Sequence, residues 1–265
     1  MTRFALIVGS GFEQLGFEVL TRSPTKTPHG EPSSPVLTLA IRDARVPCIA
    51  RHGEDHGLAP HEINYRANLW ALEQRGVRVC IGINTVGSID ASLLPGELAV
   101  PDQLIDYTHG RVSTFAGREL LPAFAALPPS MAGGAGAPVR HIDFGEPFSP
   151  LLRGRIAAAA AECGFAVRGG TYGVTQGPRL ETAAEIARLA RDGCAMVGMT
   201  AMPEAALARE LGIDYAICAL AVNYAAGRSP DGAALLPQIE RFTGSGLLKV
   251  RAVLERLAGD GADAM

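Results

Sequence analysis

The chain has 265 residues, an apolar fraction of 48% and a formal net charge of −3. That length and apolar content suffice for one α/β domain with a sizeable core, and the slightly acidic balance excludes the broad basic surface through which nucleic acids are bound. Cys48, Cys80, Cys163, Cys194 and Cys218 sit in apolar runs without paired spacing, which speaks against a disulfide framework and implies no structural metal.

The first residues run straight into a strand-like segment, Phe4 to Val8, without the charged-then-apolar pattern of a signal peptide. No later apolar stretch reaches membrane-spanning length, so a cytoplasmic protein with no membrane partner is expected. Val36 to Ile41, Val46 to Ala50, Val77 to Asn84, Glu97 to Val100, Cys194 to Met199 and Tyr215 to Val222 are the further predicted strands. Ile63, Ala67, Trp70 and Ala71 share one face of a helix predicted over His61 to Arg75, with Gly76 as its stop. Residues 120–138 hold Pro122, Pro128, Pro129 and a Gly-rich run ending at Pro138, which cannot keep regular structure for long. They read as a mobile surface loop, either an insertion or an active-site lid. Thr182 and Glu185 form a capping box that starts a helix just after Glu181. Pro203 suits the first turn of the next helix, which runs to Leu211, and Leu247 to Leu257 reads as an amphipathic final helix. This alternation predicts a single α/β domain over residues 1–265, with a mixed central β-sheet flanked by helices.

Candidate chemistry gathers at the strand ends. Gly9-Ser10-Gly11 is either a tight turn or a place where backbone and hydroxyl approach an oxyanion. Arg51-His52-Gly53 offers an arginine fork for bidentate phosphate binding and a histidine as a further donor, unless the pair is simply solvated. Thr200 follows a strand and precedes a helix start, a third candidate anion contact. One cation about 4 Å from one phosphate charge contributes roughly 4 kcal/mol at an effective dielectric near 20. A dianion needs neutral donors as well, and Ser10, His52, Thr85 and Thr200 can supply them.

Two further residues can read a base. Glu181, placed before the capping box, is either a stabilising carboxylate at a helix N-terminus or an acceptor for the N1–H of a 6-oxopurine. Asn223 ends the apolar run Cys218 to Val222; it either terminates the strand or donates to purine O6 while accepting a proton carried by N7. Adenine would present an acceptor at N1 to Glu181, and its exocyclic amine would better suit an aspartate at position 223.

These motifs carry a resemblance. Over nearly its whole length the chain resembles the trimeric purine nucleoside phosphorylase and methylthioadenosine phosphorylase family. The run from Arg51 to Asn68 looks like the methylthioadenosine branch, whereas Leu180-Glu-Thr182 and Asn223 to Gly227 look like the 6-oxopurine branch. The mixture is most similar to the bacterial branch that acts on S-methyl-5′-thioinosine. The resemblance implies a nucleoside phosphorylase-like fold and a pentosyltransferase of purine salvage that uses inorganic phosphate as co-substrate, with no cofactor and no metal. It places Ser10, Arg51, His52, Thr85 and Thr200 at phosphate, Met199 against the ribose, and Glu181 and Asn223 at the base, with Asn223 as the catalytic group. Leu236 stands where ordinary nucleoside phosphorylases direct a histidine at the 5′-hydroxyl, and an apolar group there suits a methylthio substituent. His141 falls in a segment presented to a neighbouring subunit, which implies a homotrimer; His56 and His61 receive no chemical role. The alternatives are a general inosine and guanosine phosphorylase and a methylthioadenosine phosphorylase.

Overall fold

Alternate residues of the short first strand face opposite ways, and the whole molecule is arranged around that fact. This computed structural model describes residues 4–116 and 141–259; the loop expected at 120–138 lies outside them. In chain order the strands are β1 (Ala5–Val8), β2 (Glu18–Ser23), β3 (Val36–Ile41), β4 (Ala44–Ala50), β5 (Val79–Ser88) and β6 (Leu98–Ala99). They continue with β7 (Gln103–Asp106), β8 (Val167–Arg168), β9 (Thr171–Val174), β10 (Cys194–Gly198) and β11 (Asp214–Tyr224). All belong to one mixed sheet. The helices among the described residues are α1 (Tyr65–Glu73), α2 (Pro150–Glu162), α3 (Ala183–Arg191), α4 (Ala201–Glu210) and α5 (Leu235–Gly259).

Ala5 and Ile7 of β1 join a core with Leu69 and Trp70 of α1 and Leu207 of α4. Leu6 and Val8 join a second core on the other face, with Ile156 of α2 and Leu247 and Val250 of α5. A strand covered on both faces must be apolar throughout, which is why β1, β5 and β11 read as continuous hydrophobic runs. β1 pairs in parallel with β4 and β5, and β5 in parallel with β11, so the C-terminal ends of four strands gather on one edge. That edge is where open parallel sheets hold ligands. β10 runs antiparallel over the end of β5, with Met196 opposite Ser88, and so carries Thr200 back towards Asn84.

The helix starts follow local chemistry. Asn64 caps α1 by accepting from the Ala67 N–H, and Ser149 followed by Pro150 opens α2. Both halves of the Thr182–Glu185 capping box are formed on α3. α4 is interrupted at Met202, whose φ of −115° and ψ of 137° are non-helical, and its regular turns begin at Pro203. The last helix is far longer than the expected 247–257. It survives Gly246 because that residue lies against the sheet, where a Cβ would stand 2.3 Å from a methyl carbon of Leu220. Among the described residues no helix is long and apolar enough to cross a membrane.

Candidate active site

A cavity of about 490 Å³ opens at the gathered strand ends and is lined by Ser10, Arg51, His52, Thr85, Glu181, Met199, Thr200 and Asn223 among others. Segments far apart in the chain are thus brought to one place. Arg51, on the cavity wall, is held in a buried ion pair. Arg51 and Glu204 are 0% and 1% exposed, with Nε and Nη2 of the arginine donating to the two carboxylate oxygens at 2.8 and 2.7 Å. Arg51 also donates to Ile83 O, Ile7 O and Asn84 Oδ1, and Tyr215 donates to Glu204 at 2.6 Å. Burial opposes the arginine's charge, but Glu204 outweighs it and holds the guanidinium above its ordinary range. The bidentate fork expected for phosphate is therefore directed at Glu204 instead. Of the five N–H groups of the guanidinium, one on Nη1 is left. A Cβ on Gly9 would come within 2.8 Å of Nη1, so only glycine fits beside the guanidinium here.

His52 also departs from expectation. Its Nδ1 lies 2.8 Å from Leu58 O, and a carbonyl can only accept, so Nδ1 carries the proton. Burial first, with Arg51 and His56 adding to it against the Leu58 bond, lowers the pKa of His52 to about 4. The ring is neutral near pH 7 and offers Nε2 as an acceptor, not the donor the sequence suggested. Around it stand hydroxyls. Thr200 Oγ1 accepts from Asn84 Nδ2 at 2.9 Å, and Ser10 Oγ lies 3.0 Å from Nε2 of His56. The half-buried Thr85 completes this end.

At the other end, Thr175 donates to Oε1 of Glu181 at 2.5 Å, which orients the carboxylate with its remaining lone pairs for a donor. Asn223 sits at a bulge: Ala221 pairs with Val86 and Asn223 with Gly87, leaving Val222 over. Bulges re-aim side chains, and here the neighbours Val222 and Asn223 both line the cavity. The amide Nδ2 donates to Tyr224 O at 2.7 Å, so one N–H and the carbonyl oxygen are left to face a ligand.

A family model described as the phosphorylase superfamily matches residues 3–258. The chain belongs to that superfamily. The phosphorylase is 46% identical over 260 residues to a probable S-methyl-5′-thioinosine phosphorylase of Pseudomonas syringae pv. tomato, covering 97% of this chain and 98% of that one. It is 41% identical over 230 residues to a 6-oxopurine nucleoside phosphorylase of Pyrococcus furiosus, covering 86% and 82%. Among solved structures, methylthioadenosine phosphorylase from Schistosoma mansoni in complex with adenine superposes with a TM-score of 0.84 at 29% identity, covering 97% of this chain and 91% of that one.

One residue expected at this chain's own cavity, Leu236, does not line it. Leu236 is 71% exposed, whereas Leu235, Ile239 and Thr243 line it. α5 begins at Leu235, and positions four apart share a helix face while the next residue is turned about 100° away. His141 is exposed and lies outside the cavity of its own chain. Sequence reading also missed several participants. Glu204 and Asn84 fix Arg51 and Thr200, and Thr175 fixes Glu181. Arg111 donates to the carbonyls of Met199, Met202 and Gln176 at 2.7, 2.7 and 2.8 Å, tying together the two loops that carry Met199 and Glu181. His56, given no role from sequence, lines the cavity. Of these, Glu204 had a local signal in the run Gly198 to Glu204 and Asn84 in the run Asn84 to Ser88.

Proposed function

We propose that this phosphorylase cleaves the N-glycosidic bond of S-methyl-5′-thioinosine with phosphate, giving hypoxanthine and 5-methylthioribose 1-phosphate. The supporting observation is that Glu181 and Asn223 line the same cavity as Ser10, Thr85 and Thr200. An acceptor-only carboxylate and an amide form a pattern complementary to N1–H, O6 and N7 of a 6-oxopurine. Phosphate is held at the hydroxyl end by Ser10, Thr85, Thr200 and the remaining N–H of Arg51, with His52 Nε2 accepting from a protonated phosphate oxygen. The ribose lies against Met199, and the methylthio group against Leu235 and Ile239.

A phosphate oxygen forms the new bond to C1′ as the C1′–N9 bond breaks, with the bonding pair leaving on the purine. The anion stabilises the cationic sugar, and Asn223 stabilises charge gathering on the base through O6 and N7. An amide is no acid, so the N7 proton comes from solvent. No organic cofactor or metal enters this scheme. The protein works in the cytoplasm as a homotrimer, with His141 reaching a neighbour's cavity. Light scattering on the purified protein tests the trimer.

Initial rates for methylthioinosine, inosine, guanosine and methylthioadenosine, each with and without phosphate, test the reaction. Methylthioinosine should have the highest kcat/KM, with no turnover in the absence of phosphate; phosphate-independent hydrolysis would overturn the scheme. A second reading, general inosine phosphorolysis, draws on Thr243. Its hydroxyl donates to Ile239 O at 2.6 Å, yet its oxygen can still accept from a 5′-hydroxyl. Equal kcat/KM for inosine and methylthioinosine would favour it.

A further inference from the structure

The phosphate end of the cavity is poor in free positive charge. Arg51 is matched by Glu204, nitrogen against oxygen. His52 presents a lone pair, since its proton is on Nδ1. Glu181, at the base end, adds a negative charge. Among the described residues, the remaining ionisable group on the cavity wall is His56. The loop after β4 turns at this residue, whose φ of 56° is left-handed. The turn brings its Nε2 to 3.0 Å from Ser10 Oγ, and its ring centroid lies 4.7 Å from that of His52. The residue is exposed, so protons exchange freely with water.

We propose that His56 is the counter-cation of the bound phosphate and takes up a proton as the anion binds. The proposal rests on the reading of this cavity as a phosphate site. The geometry gives the proton a second effect. With a neutral ring, Ser10 Oγ and His56 Nε2 share one hydrogen bond that can run in either direction. With an imidazolium, Nε2 must donate to Ser10 Oγ, and the serine's own O–H is turned outward to donate to phosphate. Charge and orientation are therefore set by one event.

The surroundings of His56 limit uptake to that one proton. On its own loop stand His52, Glu54, which is paired with Arg22, and Asp55, which accepts from the Gly57 N–H. Ser10 approaches from the turn after β1, and the neutralised Arg51–Glu204 pair lies behind His52. The neighbouring His52 disfavours a second charge.

Calorimetric titration with inorganic phosphate, without nucleoside, tests the proposal in buffers of different ionisation heat. Above the range in which histidine titrates, wild-type protein should take up more protons per phosphate than His56→Asn, by a difference approaching one. Protons exchanged by phosphate itself cancel in that difference, and Asn tolerates the left-handed conformation. Phosphate affinity of the wild type relative to the variant should fall by about tenfold per pH unit in that range. In wild-type protein the histidine NMR titration of His56 should move upward by at least about two pH units on saturation with phosphate, the shift that uptake approaching one proton requires, a readout that needs no variant. Equal proton uptake in the two proteins, or an unmoved His56 titration at saturation, overturns the inference. Failure of folded wild-type protein to bind phosphate at all would instead overturn the reading of the cavity.

Discussion

Asn223 illustrates how much one side chain can decide. Its neighbour's carbonyl takes one amide hydrogen, so the second hydrogen and the oxygen are the parts available to a base. Asn223→Asp removes the donor while keeping shape. We expect kcat/KM for methylthioinosine to fall by about 10²–10³, the scale of losing one donor aimed at developing charge, with the melting temperature little changed. Loss of less than about tenfold in steady-state kinetics would argue that Asn223 does not touch the base. His52 makes a prediction about stability. Its folded-state pKa of about 4 lies below the ordinary 6.5, so the unfolded chain binds the proton more readily. The contribution of His52 is complete above about pH 6.5 and is lost as pH falls towards 4, a loss on the order of 3 kcal/mol. His29, also lowered to about 4 by burial and by Arg66, acts in the same direction but less strongly because it is more open to solvent. Urea unfolding of wild type and His52→Gln at pH 7, 5.5 and 4 measures this, and the variant should show the smaller decline.

At the scale of elements, the face of α5 sets the 5′ pocket. Ile239→Ala should lower kcat/KM for methylthioinosine by about tenfold or more, the range for removing methylene groups from a substrate pocket, while Leu236→Ala should leave it within about twofold. The reverse result would restore the sequence expectation for Leu236. Why that expectation failed is instructive. Leu236 is matched through the family resemblance, whereas the helix begins at Leu235, not Leu247, and turns Leu235 and Ile239 to the cavity. Gly244, Gly246 and Pro237 conceal that start, though Pro237 falls in the first turn, where its missing N–H costs no helical bond, and Gly246 packs on Leu220. Elements with strong periodicity or caps, such as β1, β11, α1 and α3, were legible. β2 was not, because an edge strand with polar Thr21, Arg22 and Ser23 has no buried face to reveal it. In the site, residue types at strand ends were legible from motif and chemistry. Their partners were not. Whether Arg51 faces an anion or Glu204, 153 positions away, is a tertiary fact without a local pattern.

Across the whole molecule, that ion pair links β1, β4, β5, α4 and β11 through Ile7, Ile83, Asn84 and Tyr215. Burial, with Glu204 adding to it, raises the Tyr215 hydroxyl well above its ordinary range, so it remains a donor to the carboxylate. Glu204→Ala leaves an unmatched buried guanidinium and should destabilise the fold by about 3–5 kcal/mol in chemical denaturation. A loss below about 1 kcal/mol would show that the site relaxes by admitting water.

The concealed guanidinium has a consequence beyond folding. A charge cancelled within 3 Å projects almost no field into solvent, and the chain as a whole is slightly negative. Anions therefore arrive by unassisted diffusion and are recognised only on contact. Raising chloride from about 0.01 to about 0.1 M shortens the screening length from about 30 to about 10 Å, yet it should barely alter the second-order rate for phosphate. Such indifference would suit an enzyme working amid fluctuating electrolyte.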